Sequence, residues 1–393
     1  MDNLRQVPIV ALTLSTFVLP SIDIFYAVGI LIILLLLLCL KNINYNGVLI
    51  SILYLLIFSI GGLYSSNLAW TTLSIENLIK VTILSLIAIV YGSYLPNFNL
   101  VILRKTLLLI LLVVVSSQIF ISLNVEPISS FVKVVYLKTE LLQNIYKADF
   151  KFFLSRNGGL FGNPNQLSKA ILFLYIIYLA TCANDKVMRS DVFFSFVCAF
   201  SIIVSGSRTG FATYSLVTLI FYYRNLTFKH KVIGFISLFF SLAFLLQTEL
   251  RIIKYNVSDN ELGSIQYKLL YLEQYIANAI DNSVLVLLFG SGFMENERLY
   301  SDIYIRSLNF GFDSDIGYII SFIGIFGALL IIAHMYLIFI YKNKDYFILP
   351  LFLWCVSSSI FYSIKSLMML FILIIVVNSI RERKNDEKTC LCN

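Results

Sequence analysis

Long apolar runs follow one another along this chain, and they constrain its fold more than any other feature. Only 13% of the residues are charged, whereas a soluble domain carries about 25%. The runs are continuous rather than alternating, which argues against a β-barrel. We therefore predict an all-α polytopic membrane protein. This class excludes a nucleic-acid-binding protein, a cytosolic enzyme and a secreted disulfide scaffold.

The runs predict about twelve transmembrane helices within a single transmembrane domain, residues 1–393. Several runs are short for a span, so the count could change by one or two. The predicted spans lie near 7–22, 24–40, 47–64, 78–95, 106–123, 167–183, 192–206, 209–223, 232–246, 316–341, 346–363 and 366–380.

The basic residues orient these predicted helices. With the N-terminus inside, fifteen Lys and Arg residues fall in the inner segments. Only three, Lys80, Arg208 and Lys365, fall in the short outer turns. This is the positive-inside pattern of a membrane protein. Both termini, including the tail 381–393, are therefore predicted to be cytoplasmic.

Two long segments, 124–166 and 247–315, fall on the outer side in this arrangement. Loops of this length are usually functional. Within them, 128–146 and 262–280 place apolar residues near one helical face. We predict that both stretches are helices lying in the membrane interface, although they could equally serve only to cap the bundle.

The first stretch with chemical content is SRNGGLFGNPNQLSKA, residues 155–170. Arg156 precedes closely spaced glycines, and Asn163-Pro164 is a strong signal for a turn and a helix start. Glycines beside a cation and a helix N-terminus are typical of an anion-binding site. The alternative is an ordinary loop-to-helix cap with one interfacial arginine.

The second stretch is SGSRTG, residues 205–210, which joins two apolar runs with almost no loop. Arg208 is therefore predicted at the outer interface. An arginine at this depth either extends its head group to water or meets an anion. Its planar fork matches phosphate oxygens in a way that lysine cannot reproduce.

The third stretch enters the tenth predicted span with Asp313, Ser314 and Asp315. Residues two apart point in different directions on a helix or a strand, so the two carboxylates are a poor pair for a glycosidase site. One of them could act alone as a base, or Asp315 could simply cap the helix. No His, Cys or carboxylate cluster has metal-ligand spacing, and no nucleotide-binding motif is present.

Four of these pieces, in this order, resemble the O-antigen polymerase and O-antigen ligase superfamily of bacterial envelopes. The resemblance covers about 155–330. The pieces are Arg156 with GLFGNPNQ, SGSRTG around Arg208, LFGSGF around Gly290, and DIGY to GIFG from Asp315 to Gly327.

The resemblance implies glycosyl transfer at the periplasmic face of the bacterial inner membrane. The donor would be an oligosaccharide repeat unit on undecaprenyl diphosphate, and neither a metal nor another cofactor is expected. Ligases of this superfamily typically carry a His-Asn pair where the tenth span begins. The chain has Asp313-Ser314-Asp315 there instead, which favours the polymerase that joins repeat units.

On this interpretation, arginines stabilise the charge of the leaving diphosphate and one aspartate accepts the proton of the acceptor hydroxyl. Arg208 and Asp315 are the predicted catalytic residues. The predicted substrate-binding residues are Arg156, Arg251, Asn163, Tyr318 and Asp313.

Two other functions stay open at this stage. An O-antigen ligase would perform the same chemistry with lipid A-core as the acceptor. A flippase or transporter would be expected to show repeats, midplane charges and short outer loops, which the sequence lacks. The expected partners are the lipid-linked oligosaccharide and the bilayer, with a chain-length regulator left open and no nucleic acid.

Overall fold

The protein is described by a computed structural model in which most of the described residues are helical. Twelve α-helices are described: α1 Val7–Val18, α2 Asp23–Leu38, α3 Tyr45–Ser66, α4 Ile75–Ile89, α5 Leu100–Ser122, α6 Ile128–Tyr136, α7 Pro164–Cys182, α8 Arg189–Ser205, α9 Arg208–Tyr223, α10 Val284–Phe289, α11 Asp315–Tyr336 and α12 Ile364–Cys392. The residues that the structure describes are 7–19, 23–38, 40, 43–66, 71–90, 99–123, 125–136, 158–161, 163–182, 189–223, 273, 276–277, 280, 284–296, 315–342, 346–353, 360–361 and 363–392.

Every predicted span with described residues contains helical structure, but several helices end before the predicted boundary, and residues 360, 361 and 363 of the predicted span 346–363 are not helical. Four helices are both long and apolar enough to cross a membrane: Tyr45–Ser66, Leu100–Ser122, Pro164–Cys182 and Tyr318–Ile340. The chain is thus a helical protein with the features of a membrane protein, and the total of twelve spans remains a prediction. The predicted span 232–246 lies outside the described residues.

The helical segments near the C-terminus differ from the regular α-helices that the sequence predicts. A 3₁₀ helix, Tyr346–Leu353, stands where the span 346–363 is predicted to begin, and it contains Pro350. Proline lacks the N–H group that an α-helix needs and clashes with the preceding turn. The helix α11 continues into a π-helical turn, Leu337–Lys342.

The first predicted interfacial helix is confirmed as a helix over its N-terminal half. The helix α6 leaves Phe131 and Val134 exposed, 59% and 78% respectively. Apolar exposure of this kind suits a helix at an interface. Residues 137–146 lie outside the described part. Of 262–280, only Glu273, Ile276, Ala277 and Ile280 are described, and all four are helical.

The chain divides into two compact units. The first unit comprises Met1–Ser51, Leu86–Tyr214 and Ile364–Asn393. Its centre is α7, which is buried along nearly its whole length and packs against α5, α8 and α12. Between α5 and α8, Gln118 donates to the carbonyl of Ser201 at 3.1 Å and accepts from its hydroxyl at 2.7 Å. This paired amide satisfies polar groups that burial would otherwise penalise.

The second unit comprises Ile52–Ser85 and Ser215–Ser363. It contains a short antiparallel ladder of strands β1, Thr71–Leu73, and β2, Met294–Asn296, in which Thr72 faces Glu295. The helix α10 precedes β2 and packs along α11. The LFGSGF motif therefore lies directly against the helix that carries DIGY and GIFG.

A break in α11 explains the glycines of these two motifs. Gly324 has φ 66° and ψ −173°, a conformation that side chains strongly disfavour. The break is filled by the glycine turn after α10, where Ser291 and Gly292 donate their N–H groups to the carbonyls of Ser321 and Phe322 at 2.8 and 3.0 Å. A Cβ on Gly290 would lie 2.5 Å from the backbone of Phe322. The turn after α10 and the break in α11 can approach this closely only because glycine, which has no side chain, stands in both segments.

Candidate functional site

The turn that begins α7 holds the Asn163-Pro164 signal of the sequence. The side-chain oxygen of Asn163 accepts the N–H of Asn165 at 2.8 Å, and its carbonyl accepts the N–H of Leu167 at 3.0 Å. Pro164 occupies the first helical position, where its missing N–H costs nothing. Asn163 is therefore the N-cap of α7, and it is exposed.

The SGSRTG stretch forms the connection between α8 and α9. Gly206 adopts φ 67° after the last turn of α8, which is the conformation of a glycine C-cap. The hydroxyl of Ser207 then accepts the N–H of Gly210 at 3.3 Å and caps α9. Arg208 is consequently the first residue of α9.

These two helix starts are bonded directly to each other. Ser207 donates its hydroxyl to the side-chain oxygen of Asn165 at 3.1 Å, and the hydroxyls of Ser168 and Ser205 lie 2.6 Å apart. A Cβ on Gly210 would lie 2.8 Å from Cβ of Ser168, so only glycine lets the helices approach this closely. We call this set, Asn165, Ser168, Ser205, Ser207 and Gly210, the α7–α9 junction.

The hydrogen bonds of the junction have a fixed direction. Ser205 donates its single proton to the carbonyl of Ile202 at 2.6 Å, so Ser168 is the donor between the two serines. Ser205 also accepts the N–H of Ser207 at 3.2 Å. Ser168 and Ser205 are fully buried, so these hydrogen bonds satisfy their hydroxyl groups away from water.

The electrostatics of the junction favour an anion. Each helix start carries about half a positive elementary charge from aligned peptide dipoles, and the starts of α7 and α9 meet here. Arg208 follows immediately at the first position of α9. Lys169, one residue beyond Ser168, is also buried within the unit. Two helix N-termini, the second beginning at Arg208, therefore meet at this buried cluster of hydroxyl and amide groups.

The GLF segment adds a further buried cation to the same unit. Gly159–Phe161 forms a short 3₁₀ helix, and the carbonyl of Phe161 accepts the N–H of Asn163 at 2.7 Å. The ammonium group of Lys365, at the start of α12, lies 4.3 Å from the centre of the Phe161 ring and donates to the carbonyl of Leu19 at 2.9 Å. Only 7% of Lys365 is exposed.

The second unit holds a different polar cluster at the start of α4. The ammonium group of Lys80 lies 2.6 Å from a carboxylate oxygen of Glu76 and donates to the hydroxyl of Tyr318 at 2.9 Å. Tyr318 in turn donates to the side-chain oxygen of Asn77 at 3.3 Å. Lys80 is 2% exposed, whereas the side chain of Glu76 is 55% exposed.

Asn77 connects this cluster to the glycine turn. Its side-chain amide donates to the carbonyls of Gly292 and Met294 at 3.3 and 3.4 Å. The neighbouring Ser74 donates its N–H to the carbonyl of Phe293 at 2.8 Å. The polar cluster and the break in α11 are thus one continuous hydrogen-bonded structure within the second unit.

The structure describes some of the predicted site residues with their side chains and others only in part or not at all. Asn163 caps α7, and Tyr318 is buried with its hydroxyl bonded to Lys80 and Asn77. Arg208 and Asp315 begin α9 and α11, and their side chains are outside what the structure describes. Arg156, Arg251 and Asp313 lie outside the described residues.

Sequence reasoning missed the burial of Lys80, Lys169 and Lys365. Lys80 and Lys365 entered only as charges that orient the helices, because a lysine near the end of an apolar run is usually solvated. The signal that was available is the spacing of Glu76 and Lys80, four residues apart on one helix face. The cation–ring contact of Lys365 depends on Phe161, which is 204 positions away in the sequence, so no local pattern predicts it.

Helical architecture, apolar spans and buried polar clusters together define the class, a helical membrane protein. No protein-family model matches the chain, and no curated protein gives a significant match to it. A more specific function therefore rests on the site itself.

Proposed function

We propose that the protein is a membrane glycosyltransferase that joins oligosaccharide repeat units carried on undecaprenyl diphosphate. It would act at the periplasmic face of the bacterial inner membrane and build O-antigen or a related surface polysaccharide. The observation that carries this proposal is the α7–α9 junction, where two helix N-termini and Arg208 converge in the first unit. Such an arrangement suits a phosphate-containing ligand.

The proposed reaction breaks the bond between the donor sugar and its diphosphate and forms a glycosidic bond to an acceptor hydroxyl. The diphosphate leaves with the electron pair of the broken bond, so its negative charge grows in the transition state. Arg208 would stabilise that charge, with Arg156 and Arg251 as partners. A group that binds the leaving charge more strongly in the transition state than in the ground state raises the rate.

The acceptor hydroxyl loses its proton as the new bond forms. We assign Asp315 as the base that accepts this proton, and Asp313, Asn163 and Tyr318 to the positioning of sugars. Asp315 begins α11, one turn before Tyr318. The carboxylate would return its proton to water after the product leaves, so the reaction needs no cofactor.

The test replaces Arg208 by lysine in the bacterium that encodes the protein and examines the length distribution of its surface polysaccharide. Lysine keeps the positive charge but cannot form the bidentate hydrogen bonds of arginine. We therefore expect long polysaccharide chains to disappear while single repeat units remain. Arg104→Lys is the matched control, because Arg104 lies in the same unit and donates to Thr181 through its guanidinium group. Membrane abundance of both variants is measured in parallel.

The same assay separates the neighbouring functions. Long chains retained by Arg208→Lys and by Arg208→Ala would overturn the role of Arg208. Loss of every attached unit, including the first, would identify a ligase rather than a polymerase. Asp315→Asn is the second arm, and an unchanged chain length there would remove Asp315 from the mechanism. Purified protein that elongates lipid-linked units in detergent would exclude a transporter.

A further inference from the structure

Lys365 is a buried lysine for which the structure describes no carboxylate partner. Its described partners are one carbonyl, from Leu19, and one aromatic ring, from Phe161. Among the side chains that the structure describes, no carboxylate pairs with it. An ammonium group has three N–H donors, and a buried charge without a counter-ion is unfavourable. Burial of such an ammonium group becomes favourable when an anionic ligand balances its charge.

A chain of contacts connects Lys365 to the α7–α9 junction. The ammonium group lies over the ring of Phe161, and the carbonyl of Phe161 accepts the N–H of Asn163. Asn163 caps the helix start at Asn165, which is bonded to Ser207 just before Arg208. All of these residues belong to the first unit. Lys365 and Arg208 are also two of the three basic residues predicted in short outer turns.

We infer that Lys365 is a substrate-binding residue that contacts the diphosphate of the lipid-linked donor, together with Arg208. This assignment rests on the proposed function. The Phe161 ring and the Leu19 carbonyl hold the ammonium group in place, and the diphosphate oxygens take its remaining donor. Because the ammonium group is already desolvated, the incoming anion does not have to strip water from it.

The alternative is that Lys365 only fastens the end of α1. The carbonyl of Leu19 follows the last turn of α1, where a basic side chain commonly caps a helix. A glutamine at position 365 separates the two roles, because its amide still donates a hydrogen bond but carries no charge. Lys365→Met is the second variant, since an apolar side chain of similar length suits the buried position.

The experiment measures binding of two probes, undecaprenyl diphosphate and uncharged undecaprenol, to the purified full chain in detergent. We expect the wild type to prefer undecaprenyl diphosphate, and Lys365→Gln and Lys365→Met to weaken that binding by about ten- to hundredfold. Binding of undecaprenol stays unchanged. Lys105→Gln is the matched control, because Lys105 is an exposed lysine of α5 in the same unit. Inorganic pyrophosphate is also tested as a competitor. It displaces the lipid from the wild type only if the diphosphate head group is sufficient for binding.

Three outcomes overturn the inference, and they are distinguishable. If both Lys365 variants bind undecaprenyl diphosphate as the wild type does, Lys365 is not a ligand and the proposed function stands. If both probes weaken equally, Lys365 has a packing role. If the wild type shows no preference for the diphosphate, the proposed function itself fails. Gel filtration identifies a Lys365 variant that does not fold. The test then relies on the other Lys365 variant.

Discussion

Lys80 and Lys365 occupy similar places in the two units but have opposite electrostatic surroundings. Each is a buried lysine near the start of a helix and beside an aromatic side chain. Lys80 is bonded to the carboxylate of Glu76 and the hydroxyl of Tyr318. Lys365 has a carbonyl and a ring, neither of which carries a full negative charge.

The difference separates a stabilising cation from one that is suited to a ligand. The charge of Lys80 is balanced inside the protein, so its ammonium group holds α4 to α11 and has little affinity left for an outside anion. Among the contacts that the structure describes, only the dipole of a carbonyl and the quadrupole of a ring offset the charge of Lys365. Stability measurements can therefore test the comparison independently of any activity.

The largest effect is expected from Glu76→Ala, which leaves Lys80 buried without its carboxylate. The free energy of unfolding should fall by about 1–3 kcal/mol, because the buried ammonium group loses its carboxylate and keeps the neutral hydroxyl of Tyr318, which does not balance its charge. Thermal unfolding of the purified protein in detergent measures the change. Glu273→Ala is the control, since Glu273 is an exposed glutamate of the same unit. Equal unfolding temperatures for the two variants would show that Lys80 does not depend on Glu76.

A smaller loss is expected from Phe161→Leu, which removes the aromatic ring under Lys365 and keeps an apolar side chain. The cation–ring interaction should account for about 1 kcal/mol of the free energy of unfolding. The same substitution made in the Lys365→Met background isolates this contribution, because the cation is then absent. A loss of the same size in both backgrounds would mean that the ring only fills space.

The smallest effect on stability is expected from Lys365→Met. The variant loses one hydrogen bond and the cation–ring contact, and it also loses a buried charge that has no counter-ion, so the free energy of unfolding should stay within about 0.5 kcal/mol. Calorimetric or fluorescence-detected unfolding measures it beside Lys80→Met. A decrease of several kcal/mol in the free energy of unfolding would show that Lys365 stabilises the fold, and the contrast with Lys80 would disappear.

The sequence predicts the positions of the helices well because the information is local. Runs such as those that become α3, α5 and α7 are apolar over the length of a span, and the starts of α7 and α9 carry Asn163 and Ser207 as caps. Hydropathy and capping depend on residues within a few positions of each other. The number of spans and their orientation remain predictions.

Long-range features could not be predicted in the same way. The break at Gly324 becomes intelligible only when Ser291 and Gly292 supply its missing hydrogen bonds. The NPN stretch predicts a helix start and SGSRTG predicts a short connection between two spans, but the bond between Ser207 and Asn165 depends on how α7 and α9 pack. Burial of Lys80 and Lys365 likewise follows from tertiary packing rather than from their neighbours in sequence.

The break in α11 also has a consequence for how the protein is made. Synthesis runs from the N-terminus, so the N–H donors of Ser291 and Gly292 leave the ribosome before the carbonyls of Ser321 and Phe322 that accept from them. A carbonyl without a partner in hydrocarbon costs several kcal/mol. Because the donors come first, the groups that complete the break in α11 are already synthesised when α11 leaves the ribosome. A circularly permuted gene that reversed this order would have to insert a broken helix alone.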